Sequence, residues 1–144
     1  MIRSVKLEDA EGFVPLMDVL GYPSSKEQIK NRLQSILPQE HYQTFVYEAN
    51  GELLGMIGMT FSEAYHTDDP HVRIIAFVVR ETEQGKGIGK RLMGKAGEWA
   101  LLEGAKTIML NSGNRAERKK AHEIYHSFGF EERATGFYKR LDSK

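Results

Sequence analysis

A mixed α/β fold, one sheet with helices on its faces, is what this sequence predicts. Three observations carry the prediction. Strand-like and helix-like stretches follow one another in the order βααβββαβαββ, with no linker-like segment or internal repeat between them. Asn50-Gly51 joins two strand-like runs in the manner of a tight hairpin. The glycine-rich stretch Gln84-Gly85-Lys86-Gly87-Ile88-Gly89-Lys90 lies between a β-branched apolar run and a helical pattern.

Taken in order, Ile2, Val5 and Leu7 alternate with polar residues and suggest a short first strand. From Asp9 onward, Phe13, Leu16, Met17 and Leu20 recur at helical spacing, and Gly21 is a plausible C-cap. Tyr22-Pro23 turns the chain. Ser24-x-x-Glu27 then reads as a capping box for a second helix, with Ile29, Leu33, Ile36 and Leu37 on one face and Pro38 at its end. Tyr42 to Ala49 and Leu53 to Phe61 are the hairpin strands; Gly55 and Gly58 interrupt the second and point to a bulge or a close backbone approach. A polar loop from Glu63 to His71 leads into the strand Ile74–Val79. Ile88, Leu92, Ala96 and Trp99 mark a helix from Gly87 to about Glu103, with Gly94 and Gly97 inside it, where tight packing on the sheet is one reason to accept them. Lys106 to Asn111 reads as the next strand, Ala116 to Phe128 as the last helix, and Phe130 and Phe137–Leu141 as terminal strands.

At 144 residues, with 40% hydrophobic and 28% charged residues, the chain 1–144 is expected to form a single domain with a real core. Twenty basic side chains balance twenty acidic ones, so no global field draws the protein to nucleic acid or to a membrane surface. Neither is expected as a partner. The absence of cysteine excludes a thiolate zinc site and a cysteine acyl-enzyme. Met1 to Asp9 has no signal-peptide apolar core, and no apolar run approaches membrane-spanning length; a cytoplasmic protein is expected.

The chemistry concentrates at Gln84–Lys90. A strand, a glycine turn and a helix N-terminus together make an anion site, where main-chain N–H groups point outward and the helix dipole adds about half a positive charge. Gly85, Gly87 and Gly89 allow close approach of a ligand, and Lys86, Lys90 and Arg91 add mobile charge. A mononucleotide phosphate loop would need Ser or Thr after Lys90, where Arg91 stands. A dinucleotide fingerprint would need glycine where Lys90 stands. The spacing present is Gln84-x-x-Gly87-x-Gly89.

That spacing resembles the acetyl-coenzyme A loop of the GCN5-related N-acetyltransferases. A second stretch is similar to the other coenzyme A element of that family: Ala121, Tyr125, Gly129 and Phe130 fit its intervals, while Arg118 stands where the family commonly has asparagine. Asn111 offers another polar contact for the pantetheine arm. The two motifs cover roughly residues 72 to 130, and the element order extends the resemblance over the chain.

The resemblance implies a mixed, mostly antiparallel sheet of about six or seven strands with about four helices. It implies acetyl transfer from acetyl-CoA, as co-substrate and without a metal, to a primary amine by direct attack in a ternary complex. The cofactor-binding set is then the main chain of Phe77, Val78 and Val79, the loop residues Gln84, Gly85, Lys86, Gly87, Ile88, Gly89 and Lys90, and Asn111 and Tyr125. Tyr125 is the expected proton donor to the leaving thiolate, since a phenol near pKa 10 suits a thiolate of slightly lower basicity. Candidates for the base that receives the amine's proton are Glu63, His66, Asp68, Asp69 and His71, with water relays equally open. His122 and His126 form an i, i+4 pair without an evident third metal ligand. Arg115, Arg118, Lys119 and Lys120 form a basic cluster that reads as a solvated face. Tyr22 is either scaffold or a wall of the acceptor site. A small-molecule amine is the expected acceptor, with a protein N-terminus or lysine as an alternative. A non-catalytic acyl-CoA sensor is the competing class. By resemblance, a homodimer is possible.

Overall fold

The computed structural model describes residues 1–111, 119–133 and 136–142. They fall into two compact units, Met1–Leu110 and Asn111–Lys144. In the first unit β1 (Ile2–Ser4), β2 (Tyr42–Ala49), β3 (Glu52–Ser62), β4 (His71–Val79) and β5 (Thr107–Leu110) form one sheet in sequential order. The first three pairings are antiparallel and β4–β5 is parallel. The β2–β3 hairpin turns where its sequence predicts, with both Asn50 (φ 53°) and Gly51 (φ 78°) in the left-handed region that such a two-residue turn requires.

α1 (Phe13–Leu20) and α2 (Lys26–Ile36) cover one face of this sheet. Phe13 and Leu16 of α1 and Ile29 and Leu33 of α2 enter one buried cluster with Val46, Leu53, Met56 and Val78. α3 (Ile88–Leu102) packs on the sheet through Ile88, Leu92, Ala96 and Ala100, each four residues from the last. Ala100 therefore holds the place expected of Trp99, which is half-buried.

Local chemistry shifts several expected boundaries. The first strand stops at Ser4, and a 3-10 turn at Leu7–Gly12 precedes α1. Arg3 fixes that turn: its Nη atoms donate to both oxygens of Asp9 at 2.8 Å and its Nε to Glu48 at 2.7 Å. The guanidinium holds the Asp9 carboxyl below its ordinary pKa. The capping box of α2 is Ser25-x-x-Gln28, one residue later than the sequence suggests. The Ser25 hydroxyl accepts from the Gln28 N–H, and the Gln28 amide oxygen accepts from the Ser25 N–H. The Ser24 hydroxyl is engaged elsewhere, accepting from Arg32 and donating to the Tyr22 carbonyl.

In the second unit α4 (Lys119–Ser127) ends at Gly129 (φ 92°), where the Phe130 N–H donates back to the Tyr125 carbonyl. The expected helix start, residues 116–118, lies outside the described residues. No strand forms at Phe130 or Phe137–Leu141 among the described residues, so the described sheet has five strands, fewer than expected. Phe137 and Leu141 are more than nine-tenths exposed, and Arg140 pairs with Asp142 two residues on, without a ladder partner for the segment. The described part is otherwise the mixed sheet and four helices that the sequence predicts.

Candidate active site

β4 and α3 are joined by the glycine-rich loop, and the loop's conformation follows from its residues. After Val79 the chain makes a 3-10 turn at Glu81–Glu83. The Gln84 amide then reaches back and donates to the Val79 carbonyl at 3.1 Å, closing the loop onto the end of β4. Gly85 (φ 82°) and Gly87 (φ 88°) adopt left-handed backbone, and a Cβ at either would meet nothing within 4 Å among the described residues. Both positions therefore turn the chain while leaving its outer side open. Gly87 is also the N-cap of α3, and glycine brings no side chain to the N–H groups of the first turn. That turn carries no acidic residue. The site offers main-chain donors and the positive end of a 15-residue helix.

Several positions of the loop and the first turn of α3 also have partners within the fold. A Cβ at Gly89 would lie 3.3 Å from the Phe77 ring and 3.6 Å from Val79, so glycine there also brings the start of α3 against β4. Ile88 is 4% exposed, its side chain in the core, which leaves only its main chain for binding. Lys86 is partly engaged by Glu83 at 3.4 Å and Arg91 by the Tyr47 hydroxyl at 3.0 Å, while Lys90 is exposed. The Gln84–Val79 and Arg91–Tyr47 bonds had no sequence signal beyond the presence of the residues.

The strand leading into the loop is longer and less regular than its apolar run suggests. β4 begins at His71, because His71 to Ile74 pair in register with Thr107 to Leu110 of β5 and with Ser62 to Met59 of β3. His71, expected in the loop, is thus a half-buried strand residue. The pairing with β5 then stops. Among the described residues no β5 position stands in register opposite Phe77, Val78 or Val79. On the other side β4 stays paired to β3 to its end, except for a shift: Gly58 faces Ala76 and Met59 faces Ile74, so Ile75 bulges between them. Phe77 and Val79 lie on the α3 side, against Gly89, and Val78 lies in the α1–α2 cluster.

Of the remaining candidates, Glu63, His66, Asp68 and Asp69 are exposed between β3 and β4, with the Asp69 N–H donating to the Thr67 hydroxyl. Asn111 follows β5 and is exposed. Tyr125 is on α4, half-buried, its ring edge-on to Phe130 at 6.2 Å. Asn111 and Tyr125 belong to the second unit. His126 bonds Glu132 at 3.3 Å, and His122 is half-buried. Arg115 and Arg118 lie outside the described residues. Tyr22, 69% exposed, sits at the α1–α2 junction. No helix among the described residues is long and apolar enough to cross a membrane.

Residues 14–130 match the model of the acetyltransferase (GNAT) family. An uncharacterized N-acetyltransferase of Bacillus subtilis (strain 168), YhdJ, is 30% identical over 120 residues, 83% of this chain and 82% of the relative. A crystal structure of a GNAT family acetyltransferase from Staphylococcus aureus is 30% identical, with a TM-score of 0.83 over 98% of both chains. An aminoglycoside N-acetyltransferase solved in complex with CoA shares the fold at 18% identity, with a TM-score of 0.85 over 99% of this chain and 95% of that one. A glycine-capped helix docked on a strand that outruns its parallel neighbour is thus found where motif, relative and fold agree, and the chain belongs to the GNAT family of acetyltransferases.

Proposed function

We propose that this protein transfers the acetyl group of acetyl-CoA to a primary amine, a small molecule, by direct attack in a ternary complex. The observation that carries this is the pairing of two features at one end of β4: main chain beyond the reach of β5, and the uncapped, glycine-turned start of α3. Main chain of Ile88, Gly89 and Lys90, with Gly85 and Gly87 leaving the outer side open, is suited to a diphosphate, and Lys90 adds charge. Main chain of Phe77, Val78 and Val79 suits the pantetheine amides and the thioester oxygen as it gains charge. The amine nitrogen forms a bond to the acetyl carbon, the carbon–sulfur bond breaks, and Tyr125 gives its proton to the departing sulfur. The amine's own proton passes to the loop 63–70, to His71 or to water. Asn111 supplies a further polar contact. The family match runs across both compact units, which supports taking 1–144 as one acetyltransferase domain.

Calorimetric titration with acetyl-CoA, followed by free-thiol release against a panel of amines, tests this. Binding with amine-dependent release is the expected outcome. Binding without release would favour an acyl-CoA-binding module, and no binding would remove the loop assignment. Tyr125→Phe is expected to lower turnover about 10²-fold while leaving the affinity for acetyl-CoA nearly intact; full turnover would remove Tyr125 from the chemistry.

A further inference from the structure

Residues in register on neighbouring strands share a face of the sheet, so the pairings divide the α1–α2 face into rows. Val46, Met56 and Val78 form the row inside the helix cluster, and all three are buried. In the next row Thr44 and Gly58 are still buried and Ala76 is half-buried. Then come Tyr42 and Thr60, half-buried, and Arg73 and Met109, exposed. Ser62, His71 and Thr107 make the last row. Cover thus runs out part-way across this face and leaves a shelf of strand surface. The shelf carries hydroxyls, an imidazole and a guanidinium, and no carboxylate stands in either of its rows.

Arg73 differs from the other described arginines. Each of those has a side-chain partner, as Arg3 has Asp9 and Glu48, Arg80 has Glu52 and Arg91 has Tyr47. Arg73 has none among the described residues. A guanidinium is a planar fork suited to a carboxylate or a phosphate, and here the protein supplies neither charge. Its place on β4 ties it to the transfer. Pairing with β5 stops at Ile74, the residue after Arg73, and the main chain assigned to the thioester begins at Phe77. On the α3 side Phe77 and Val79 lie against Gly89. An acceptor therefore arrives over the other face, across Ile75, which is 46% exposed although apolar. Ile75 and Arg73 alternate with buried Val72 and Ile74 and so share that side. From Arg73 to Phe77 the strand advances at most about 13 Å, at about 3.3 Å per residue.

We propose that Arg73 is a specificity-determining residue: its guanidinium binds an anionic group, a carboxylate or a phosphate, that the acceptor carries several bonds from its amine. This rests on the acetyl-transfer assignment and narrows the acceptor from a primary amine to an amine that bears an anion. The test follows thiol release with primary amines of matched length ending in a carboxylate, a phosphate, a hydroxyl or a second ammonium. Wild type should favour the carboxylate or the phosphate over the hydroxyl by about tenfold or more in kcat/KM, and the better of the two identifies the anion. Arg73→Ala changes an exposed side chain and should fold. It should raise KM for the anionic amine about 10- to 100-fold, with kcat and the use of the hydroxyl-ended amine nearly unchanged. Arg73→Lys keeps the charge without the fork and should restore part of the loss. Added salt should weaken the preference of the wild type and not that of Arg73→Ala. The calorimetric affinity for acetyl-CoA should be the same in all three chains. Equal use of anionic and neutral amines by the wild type would overturn the role of Arg73 and leave acetyl transfer standing. So would a preference for the second ammonium, or an equal loss for both amine classes in Arg73→Ala. A wild-type chain that binds no acetyl-CoA, or releases thiol with no amine, would overturn the transfer assignment and the role of Arg73 together.

Discussion

At the start of α3, Gly87 holds a left-handed φ that caps the helix, and Gly89 lets the helix touch Phe77 and Val79. Further along the same helix, Gly94 and Gly97 have no such duties. A Cβ at either would meet nothing within 4 Å among the described residues, Gly94 is exposed and Gly97 half-buried. The expectation that tight packing on the sheet explains these two glycines is therefore wrong. The close approach is made by alanines instead, since Ala96 and Ala100 are the buried small residues of the helix. The same residue type is a structural requirement in one stretch and a cost in the other, and composition alone does not separate them.

The strongest way to break this comparison is Gly89→Val. Its side chain would have to occupy space that the Phe77 ring holds, where even a Cβ comes to 3.3 Å. Overpacking of this kind costs about 1–3 kcal/mol, read as a lowered urea midpoint. Because the loop and β4 separate together, acetyl-CoA affinity should fall with it. A stable Gly89→Val chain with full affinity would show that the contact is not needed.

Gly87→Ala should act through backbone alone. There is room for the methyl, so the cost is that of holding an L-residue at φ 88°, about 1–2 kcal/mol. The diagnostic is Gly87→Asn, which tolerates left-handed backbone better and should recover part of the loss in the same urea experiment. An Ala variant as stable as wild type would mean that the turn can reach α3 by another route.

These contrasts also indicate what in the chain was legible. The hairpin and the loop were, because Asn50-Gly51 and Gly85-x-Gly87 are local backbone signals whose meaning depends little on distant residues. The ambiguous cases were decided by tertiary partners. Ser24 and Ser25 each have an acidic or amide residue three positions on, and Arg32 settles the choice by engaging Ser24. His71 becomes strand because it pairs on both sides, with Ser62 of β3 and Thr107 of β5. The bulge at Ile75 was hidden in a run, Ile74–Val79, that is apolar on both faces and so has no alternation to lose. Phe137–Leu141 has strand composition, yet among the described residues nothing supplies the ladder a strand needs. In the candidate site the glycine turn was readable because glycine marks left-handed backbone, whereas the sequence alone left the amine's base among five residues and water.

The smallest effect bears on the other half of the comparison and has the opposite sign. Helix-interior glycine is about 1 kcal/mol less favourable than alanine, because the unfolded chain has more freedom to lose and the helix gains no contact. At Gly94 the new methyl meets nothing within 4 Å among the described residues, so no clash with them offsets that gain. Gly94→Ala should therefore raise stability by about 0.5–1 kcal/mol, a rise in the urea midpoint without a change in slope. Acetyl-CoA affinity should not move, since Gly94 lies outside the loop and its first helical turn. A destabilised variant would mean that the open side of α3 is covered by something in solution, and that glycine is required there as it is at Gly89.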